Sequence, residues 1–274
     1  LAVGQAELEQ LLEATRSPAD ASIHALVLLE RGVYRSRIGQ LEVAQTDLMR
    51  ACETLRSTGP DRDLTLCLGH LANHYRRVGD GEEALKLLLP LRDAARGRGE
   101  TYDDGIYTFG IAQVLHSLRR LAEANVAYRE SSASFALFDD RAGVGFSEHG
   151  LAVTLLQLGQ PAQALQHIER SLALTPQATA PRQFEIGSIT RAEVLVALGR
   201  VEPALAALDS IGEAVRRRKE LSMMQAWWQV RSQAMRALGR WQEAYQALAE
   251  ANEVDKTLQE QRLSGQSARL RMQF

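Results

Sequence analysis

Apolar and small residues recur at fixed positions along this chain, in pairs of stretches separated by short turns. In the first complete pair, the pattern predicts one helix over roughly residues 22–38 and a second over roughly 41–55, with a turn around Gly39 between them. Alanine and leucine dominate the apolar content, whereas β-branched runs are scarce and aromatic residues amount to 5%. Since alanine and leucine are strong helix formers, the sequence predicts an all-α protein.

The pair of helices repeats every 40 residues. The central turn residue of each pair, called here the turn position, is Gly39, Gly79, Arg119, Gly159, Gly199 or Gly239. Seven residues earlier stands a small residue: Gly32, Ala72, Ala112, Ala152, Ala192 and Ser232. Five residues later stands an alanine: Ala44, Ala84, Ala124, Ala164, Ala204 and Ala244. One register held through six copies without an insertion indicates a duplicated structural unit, whose small residues let the two helices approach closely.

Glycine suits the turn position because a left-handed residue ends many helices. If Arg119 keeps a positive φ in the copy that lacks glycine, the strain is about 1 kcal/mol. Pro161 and Pro203 fall early in second helices, where a missing N–H is tolerated. Pro90 falls late in a second helix and is expected to kink or end it.

This spacing resembles the tetratricopeptide repeat. In each copy a small residue stands seven residues before the turn position, an alanine five residues after it and a large apolar residue nine residues after it. Trp228 and Trp241 stand where that family often has aromatic residues. The resemblance covers nearly the whole chain and implies a right-handed α-solenoid of helix-turn-helix units. Two features depart from it: the unit has 40 residues instead of 34, and arginine replaces a usual core aliphatic residue at Arg31, Arg191 and Arg231.

The predicted domains are a superhelix over residues 1–252 and a C-terminal helix over 253–274. Residues 1–15 fit the repeat frame as the second helix of an earlier unit, with a capping helix as the alternative. Spaced apolar residues in the tail, including Val254, Leu258, Leu263, Leu270 and Phe274, indicate a stripe that seeks a partner helix. The alternative is a final helix that folds back on the sixth unit.

Stacked units of this kind form a concave surface lined by the first helices, as the resemblance implies. The polar candidates for ligand binding on that surface are Asn73, Arg76, Arg77, Gln113, His116, His149, Glu193, Gln233 and Arg236. Asparagine beside arginine suits an extended peptide or a carboxylate. The competing interpretation is that these side chains are simply hydrated. The apolar members Val153, Leu156, Ile189 and Val196 form either a ligand patch or a packing surface.

No catalytic constellation is evident. His70 and His74 share a helix face but lack a third ligand, so we expect a helix-surface pair, no metal and no cofactor. We expect Cys52 and Cys67 to be buried free thiols. The net charge of −2 favours neither direct nucleic-acid binding nor an anionic membrane. The basic run at residues 216–220 is expected to be a solvated loop.

The tail resembles the segment that joins tetratricopeptide sensor arrays to a diguanylate cyclase or histidine kinase in bacterial signalling proteins. The resemblance implies a non-catalytic sensor or regulatory domain that binds a peptide, protein or small ligand in its groove and dimerises through its C-terminal helix. The alternatives are a standalone interaction scaffold and the ligand-binding array of a transcription regulator. Cytoplasm and periplasm are both left open, with the expected lack of a disulfide favouring the cytoplasm.

Overall fold

In a computed structural model, the backbone is described for residues 2–59 and 61–272, and the side chains for 4, 6–59 and 61–259. This part of the chain is helical almost throughout. The helices are α1 (Ala2–Ala14), a short 3₁₀ turn (Pro18–Asp20), α2 (Ala21–Arg37), α3 (Leu41–Thr58), α4 (Asp61–Val78), α5 (Gly81–Arg98), α6 (Thr101–Ser117), α7 (Leu121–Ala136), α8 (Arg141–Gln157), α9 (Pro161–Leu174), α10 (Pro181–Ala197), α11 (Val201–Arg218), α12 (Leu221–Ala237) and α13 (Trp241–Met272).

The helix boundaries confirm the predicted pairs. The first helices of the six repeats are α2, α4, α6, α8, α10 and α12, and each second helix begins three or four residues after its partner ends. Every turn position has a positive φ, including Arg119 at 62°. The αL turn is therefore kept even where a Cβ makes it strained, because the helices on both sides fix the backbone.

The small residues of the repeat lie where the two helices of a unit meet. Ala72 and Ala112 on first helices, and Ala44 and Ala164 on second helices, are fully buried. At Gly32 even a Cβ would come within 2.8 Å of Leu48 Cγ, so a larger side chain would push the two helices apart. Close approach of the helix backbones thus requires these positions to be small.

The described chain divides into two compact units, the first containing α1 to α6 and the second containing α7 to α12 with the start of α13. The core of the first unit includes Leu29, Leu48 and Leu55. The core of the second unit is built around Leu208 and Trp227, and Trp227 donates its indole N–H to the Leu208 carbonyl oxygen at 2.9 Å.

The expectation of free thiols was wrong. Cys52 on α3 and Cys67 on α4 form a disulfide, with their Cα atoms 5.5 Å apart. The bond joins the second helix of one unit to the first helix of the next, and both side chains are buried. The preference for the cytoplasm, which rested on free thiols, therefore loses its support.

Two smaller expectations also need correction. Pro90 does not end its helix, since α5 continues to Arg98; Pro90 is exposed, so the carbonyl left without a donor can bond to water. The basic run is not a loop, because residues 216–218 form the last turn of α11. There, the Arg218 guanidinium binds the buried Glu185 carboxylate at 2.6 Å.

The C-terminal segment continues the second helix of the sixth unit. α13 runs unbroken from Trp241 to Met272, across the predicted boundary between residues 252 and 253. Val254 is buried and Leu258 is half-buried, whereas the side chains of Leu263 and Leu270, and Phe274 as a whole, lie outside the described residues. None of the described helices has the length and apolar character that crossing a membrane requires.

Candidate functional site

The candidate ligand-binding positions lie on the first helices of each compact unit, at the residue six before each turn position. We call this series the accessible row; its members are Val33, Asn73, Gln113, Val153, Glu193 and Gln233. All six side chains are exposed or half-buried, although the residue just before each one is buried. Each first helix thus presents one side to its own second helix and keeps this row open to solvent.

Asn73 and Arg76 form the best-defined polar pair on the row. They lie one turn apart on α4, and the Arg76 guanidinium donates to Asn73 Oδ1 from Nη2 at 2.8 Å and from Nε at 3.3 Å. The pairing holds the carboxamide in one orientation. No group in the described part of the chain accepts a hydrogen bond from Asn73 Nδ2, so both of its N–H donors face outward from the pair.

Arg77 and His74 both make polar contacts with Ser36 on the neighbouring helix α2. Arg77 Nη2 donates to the Ser36 carbonyl oxygen at 3.1 Å, at the C-terminal end of α2. His74 is 1% exposed, and its Nδ1 lies 3.2 Å from Ser36 Oγ. Burial and the Arg77 charge lower the pKa of His74, and burial also lowers the pKa of His70. Arg77 is therefore bound to the C-terminal end of the neighbouring helix α2.

The other predicted ligand-binding residues are divided between the two compact units of the chain. Gln113 and His116 are half-buried on α6, in the first unit. In the second unit, His149 Nε2 lies 3.0 Å from Thr190 Oγ1, which links α8 to α10.

The remaining candidates, Glu193, Gln233 and Arg236, are exposed. Desolvation by burial raises the pKa of the Glu193 carboxyl.

The arginines that replace core aliphatic residues each bind an acid of the preceding second helix, a pairing that sequence reasoning missed. The pairs are Arg31 with Glu9 at 2.8 Å, Arg191 with Glu169 at 3.6 Å, and Arg231 with Asp209. In each pair the arginine follows its acid by 22 residues, so the acid was visible in the sequence at the same repeat position. Glu9 lies on α1, so α1 contacts α2 in the same way that the second helix of a repeat contacts the first helix of the next repeat.

Besides Glu185, two further carboxylates are buried and paired with basic side chains. Asp47, 4% exposed, accepts hydrogen bonds from Arg31 Nη2 at 2.7 Å and Arg35 Nη1 at 2.8 Å. Glu148, 2% exposed, lies 2.6 Å from His167 Nδ1.

Burial disfavours the charged form of Glu148. The hydrogen bonds from His167 and Ser132 and the charge of Arg170 outweigh that effect, so the pKa of this carboxyl lies below its ordinary value. Neither Asp47 nor Glu148 belongs to the accessible row.

Other features give no sign of catalysis. Two open cavities of about 380 Å³ lie away from the accessible row, one along α1–α3 and one between α12 and α13. Among the described residues, no group of three or more histidine, cysteine or acidic side chains is arranged to hold a metal ion.

Comparisons with solved structures show the fold. BtubC (BKLC) from P. vanneervenii aligns with a TM-score of 0.64 at 18% identity, over 78% of this chain and 91% of that chain. A Rap protein complexed with Competence and Sporulation Factor aligns with a TM-score of 0.70 at 13% identity, over 93% and 80%.

A STAND signal-transduction ATPase with a tetratricopeptide repeat sensor from Pyrococcus horikoshii gives a TM-score of 0.71 at 14% identity, over 96% of this chain and 42% of that one. No protein-family model and no curated protein matches the sequence. The fold is therefore a tetratricopeptide-like α-solenoid.

Proposed function

We propose that this chain is a non-catalytic interaction domain that binds an extended peptide or protein segment along the part of the accessible row that lies in the first compact unit, at Val33, Asn73 and Gln113. The observation that carries the proposal is the Asn73–Arg76 pair. It stands on a helix whose opposite side is fixed in the core by Leu71 and Ala72. A rigid backbone beneath an oriented side chain keeps the entropic cost of binding low.

The chemistry of the pair suits a peptide. With Oδ1 held by Arg76, the Asn73 carboxamide acts as a donor, and its Nδ2 hydrogens match a backbone carbonyl oxygen. The neighbouring guanidinium favours a carboxylate, from an acidic side chain or a chain terminus. The solved Rap structure with Competence and Sporulation Factor, which shares this fold, supports a ligand-binding role for such an array.

The relay is the second part of the proposal. α13 extends for 32 residues and belongs to the sixth unit at its start. A continuous helix transmits a rotation of the unit that contains its first turns. We infer that α13 passes ligand binding to an output such as a diguanylate cyclase or histidine kinase, and that it supports a homodimer. A standalone scaffold or a transcription regulator would use the same row with a different output.

The test is selection of a peptide ligand from a random displayed library on the purified chain, followed by calorimetric titration of variants. We expect Asn73→Ala and Arg76→Ala each to weaken binding about tenfold, which corresponds to about 1.4 kcal/mol. Arg56→Ala is the matched control, since Arg56 is exposed on α3, a second helix that does not carry the accessible row. Equal affinity for Asn73→Ala and the unchanged chain would contradict the proposed face.

The relay and the dimer need separate measurements. Hydrogen exchange of α13 should change when the selected peptide binds; unchanged exchange would leave the scaffold as the better description. Sedimentation should give a dimer for the full chain and a monomer for a chain that ends at residue 252. An unchanged mass after truncation would refute association through the C-terminal helix.

A further inference from the structure

Three large apolar side chains on the last second helix are open to solvent. Trp241 is 67% exposed, Tyr245 is 74% exposed and Leu248 is 45% exposed. They stand at i, i+4 and i+7 on α13 and so form one stripe along the helix. We call it the terminal stripe. Its sequence spacing is that of a packed face rather than of a hydrated one.

The other units show what this face does elsewhere in the chain. The residues equivalent to Leu248 are Leu48, Leu88, Tyr128, Ile168 and Leu208, and none of them is more than 5% exposed. In each case the first helix of the next unit covers the second helix that carries them. The terminal stripe therefore lies at the position that forms a helix–helix interface in the earlier repeats. In the described part of the chain, no further helix covers it.

The interface between α5 and α6 gives the register of a covering helix. A Cβ on Gly81, at the start of α5, would lie 2.8 Å from Leu118, just past the end of α6. Further along α5, Leu88 lies 3.3 Å from the place of a Cβ on Gly110. The covering helix thus runs antiparallel, with a small residue opposite the large apolar one and an aliphatic residue eight positions later.

Glycine opposite a bulky side chain recurs at these interfaces. Gly150 on α8 lies against Tyr128, and Gly187 on α10 would place a Cβ 2.9 Å from Leu172 Cδ2. In the interface of α11 and α12 the order is reversed, with Gly212 against Trp227 at 3.0 Å. Each close approach therefore pairs one bulky residue with one residue that makes room for it.

We propose that the terminal stripe docks an amphipathic helix of a separate protein. The helix would run antiparallel to α13, with glycine or another small residue opposite Leu248 and an aliphatic residue near Trp241. A second copy of this chain fits less well through the same stripe, because an antiparallel pair of stripes would set Leu248 against Trp241, whereas the equivalent Leu88 lies opposite Gly110.

The probe is a capped synthetic peptide with the sequence of residues 141–158. It carries Gly150 and Leu158 at the required eight-residue spacing. Binding is followed through the indole N–H signals of the uniformly ¹⁵N-labelled full chain. We expect the Trp241 signal to shift saturably, with a Kd below about 1 mM, while the signal of the buried Trp227 stays in place. A peptide with Gly150→Leu should bind at least about tenfold more weakly.

Protein variants locate the site. Tyr245→Ala should weaken peptide binding about tenfold or more, and because Tyr245 is largely exposed the variant should stay folded. Val126→Ala, at an apolar side chain that is 56% exposed on α7, is the matched control and should bind as the unchanged chain does. Absence of a saturable Trp241 shift overturns the proposal. Self-association that Tyr245→Ala abolishes also overturns it, because a second copy would then cover the stripe.

Discussion

Breaking the Cys52–Cys67 disulfide should lower the free energy of unfolding of the first compact unit, which contains α1 to α6, by about 3 kcal/mol. The bond closes a loop across a sequence separation of 15 residues between α3 and α4. For a loop of this length, the chain entropy that the bond removes from the unfolded state corresponds to that value at 25 °C. The replacement Cys52→Ala with Cys67→Ala should reproduce the loss, with a small addition for the missing sulfur atoms in the core.

The assay is urea unfolding followed by far-ultraviolet circular dichroism, with and without a phosphine reductant. Reductant should destabilise the unchanged chain and leave the double alanine variant unaffected, which separates disulfide loss from general effects of the reagent. Hydrogen exchange should show faster opening of α3 and α4 in the reduced chain, whereas Trp227 and its neighbours in the second unit should keep their protection.

Two results would refute this reasoning. One is mass spectrometry that finds two free thiols in the folded, air-exposed protein. The other is equal stability of the oxidised and reduced chains, which would mean that the α3–α4 interface already restricts the unfolded or partly unfolded chain as strongly as the bond does.

Further predictions concern the turns, the buried ions and the histidines. Gly159→Ala at the αL turn should cost about 1–2 kcal/mol in thermal or urea unfolding, whereas Gly97→Ala inside α5, with open space at its Cβ, should stabilise by about 0.5–1 kcal/mol. Asp47→Ala should destabilise the protein by about 3–5 kcal/mol, because it leaves two arginines without their buried partner. Arg191→Ala removes one member of a largely exposed pair and should cost under about 1 kcal/mol. Comparable losses of stability in the two variants would contradict the role of burial. Because burial lowers the pKa of His74, stability should fall as the pH drops below about 6.5, where the unfolded chain takes up the proton, and unfolding of His74→Leu measured against pH should show a smaller loss.

Much of the fold follows from the spacing of small residues. A fixed interval between Ala72, Gly79 and Ala84, repeated along the chain, is enough to predict two helices and an αL turn, because close helix packing tolerates nothing larger there. Arg119 shows the strength of this reasoning: its φ of 62° is imposed by the helices on both sides and not by its own preference.

The side-chain pairings between units were harder to predict. Cys52 and Cys67 stand at the equivalents of Leu172 and Gly187 and of Gly212 and Trp227, which oppose each other at two other interfaces, yet that opposition becomes evident only when the antiparallel register of the helices is known. The same holds for Arg231 and Asp209. A single helix pattern specifies which face is buried, whereas contacts between units depend on how one helix is offset along the next.

The candidate site was predictable only as a face. The accessible row follows from the repeat frame, but the partners of its residues depend on rotamers that the frame does not specify. Arg76 donates a hydrogen bond to Asn73, whereas Arg77 donates one to the end of α2. The sequence alone gives no reason to expect different partners for these two arginines.

The recurring acid–arginine pairs make neighbouring repeats distinguishable from one another. Arg31, Arg191 and Arg231 each follow a unit that supplies an acid, whereas Leu71 and Ile111, at the same position, follow units that supply Met49 and Leu89. A repeat stacked on the wrong predecessor would bury a guanidinium against methionine or leucine, or leave a carboxylate facing an aliphatic side chain. Similar modules in one polypeptide can join out of order as they fold, and at these three junctions the charges disfavour a predecessor that lacks the acid.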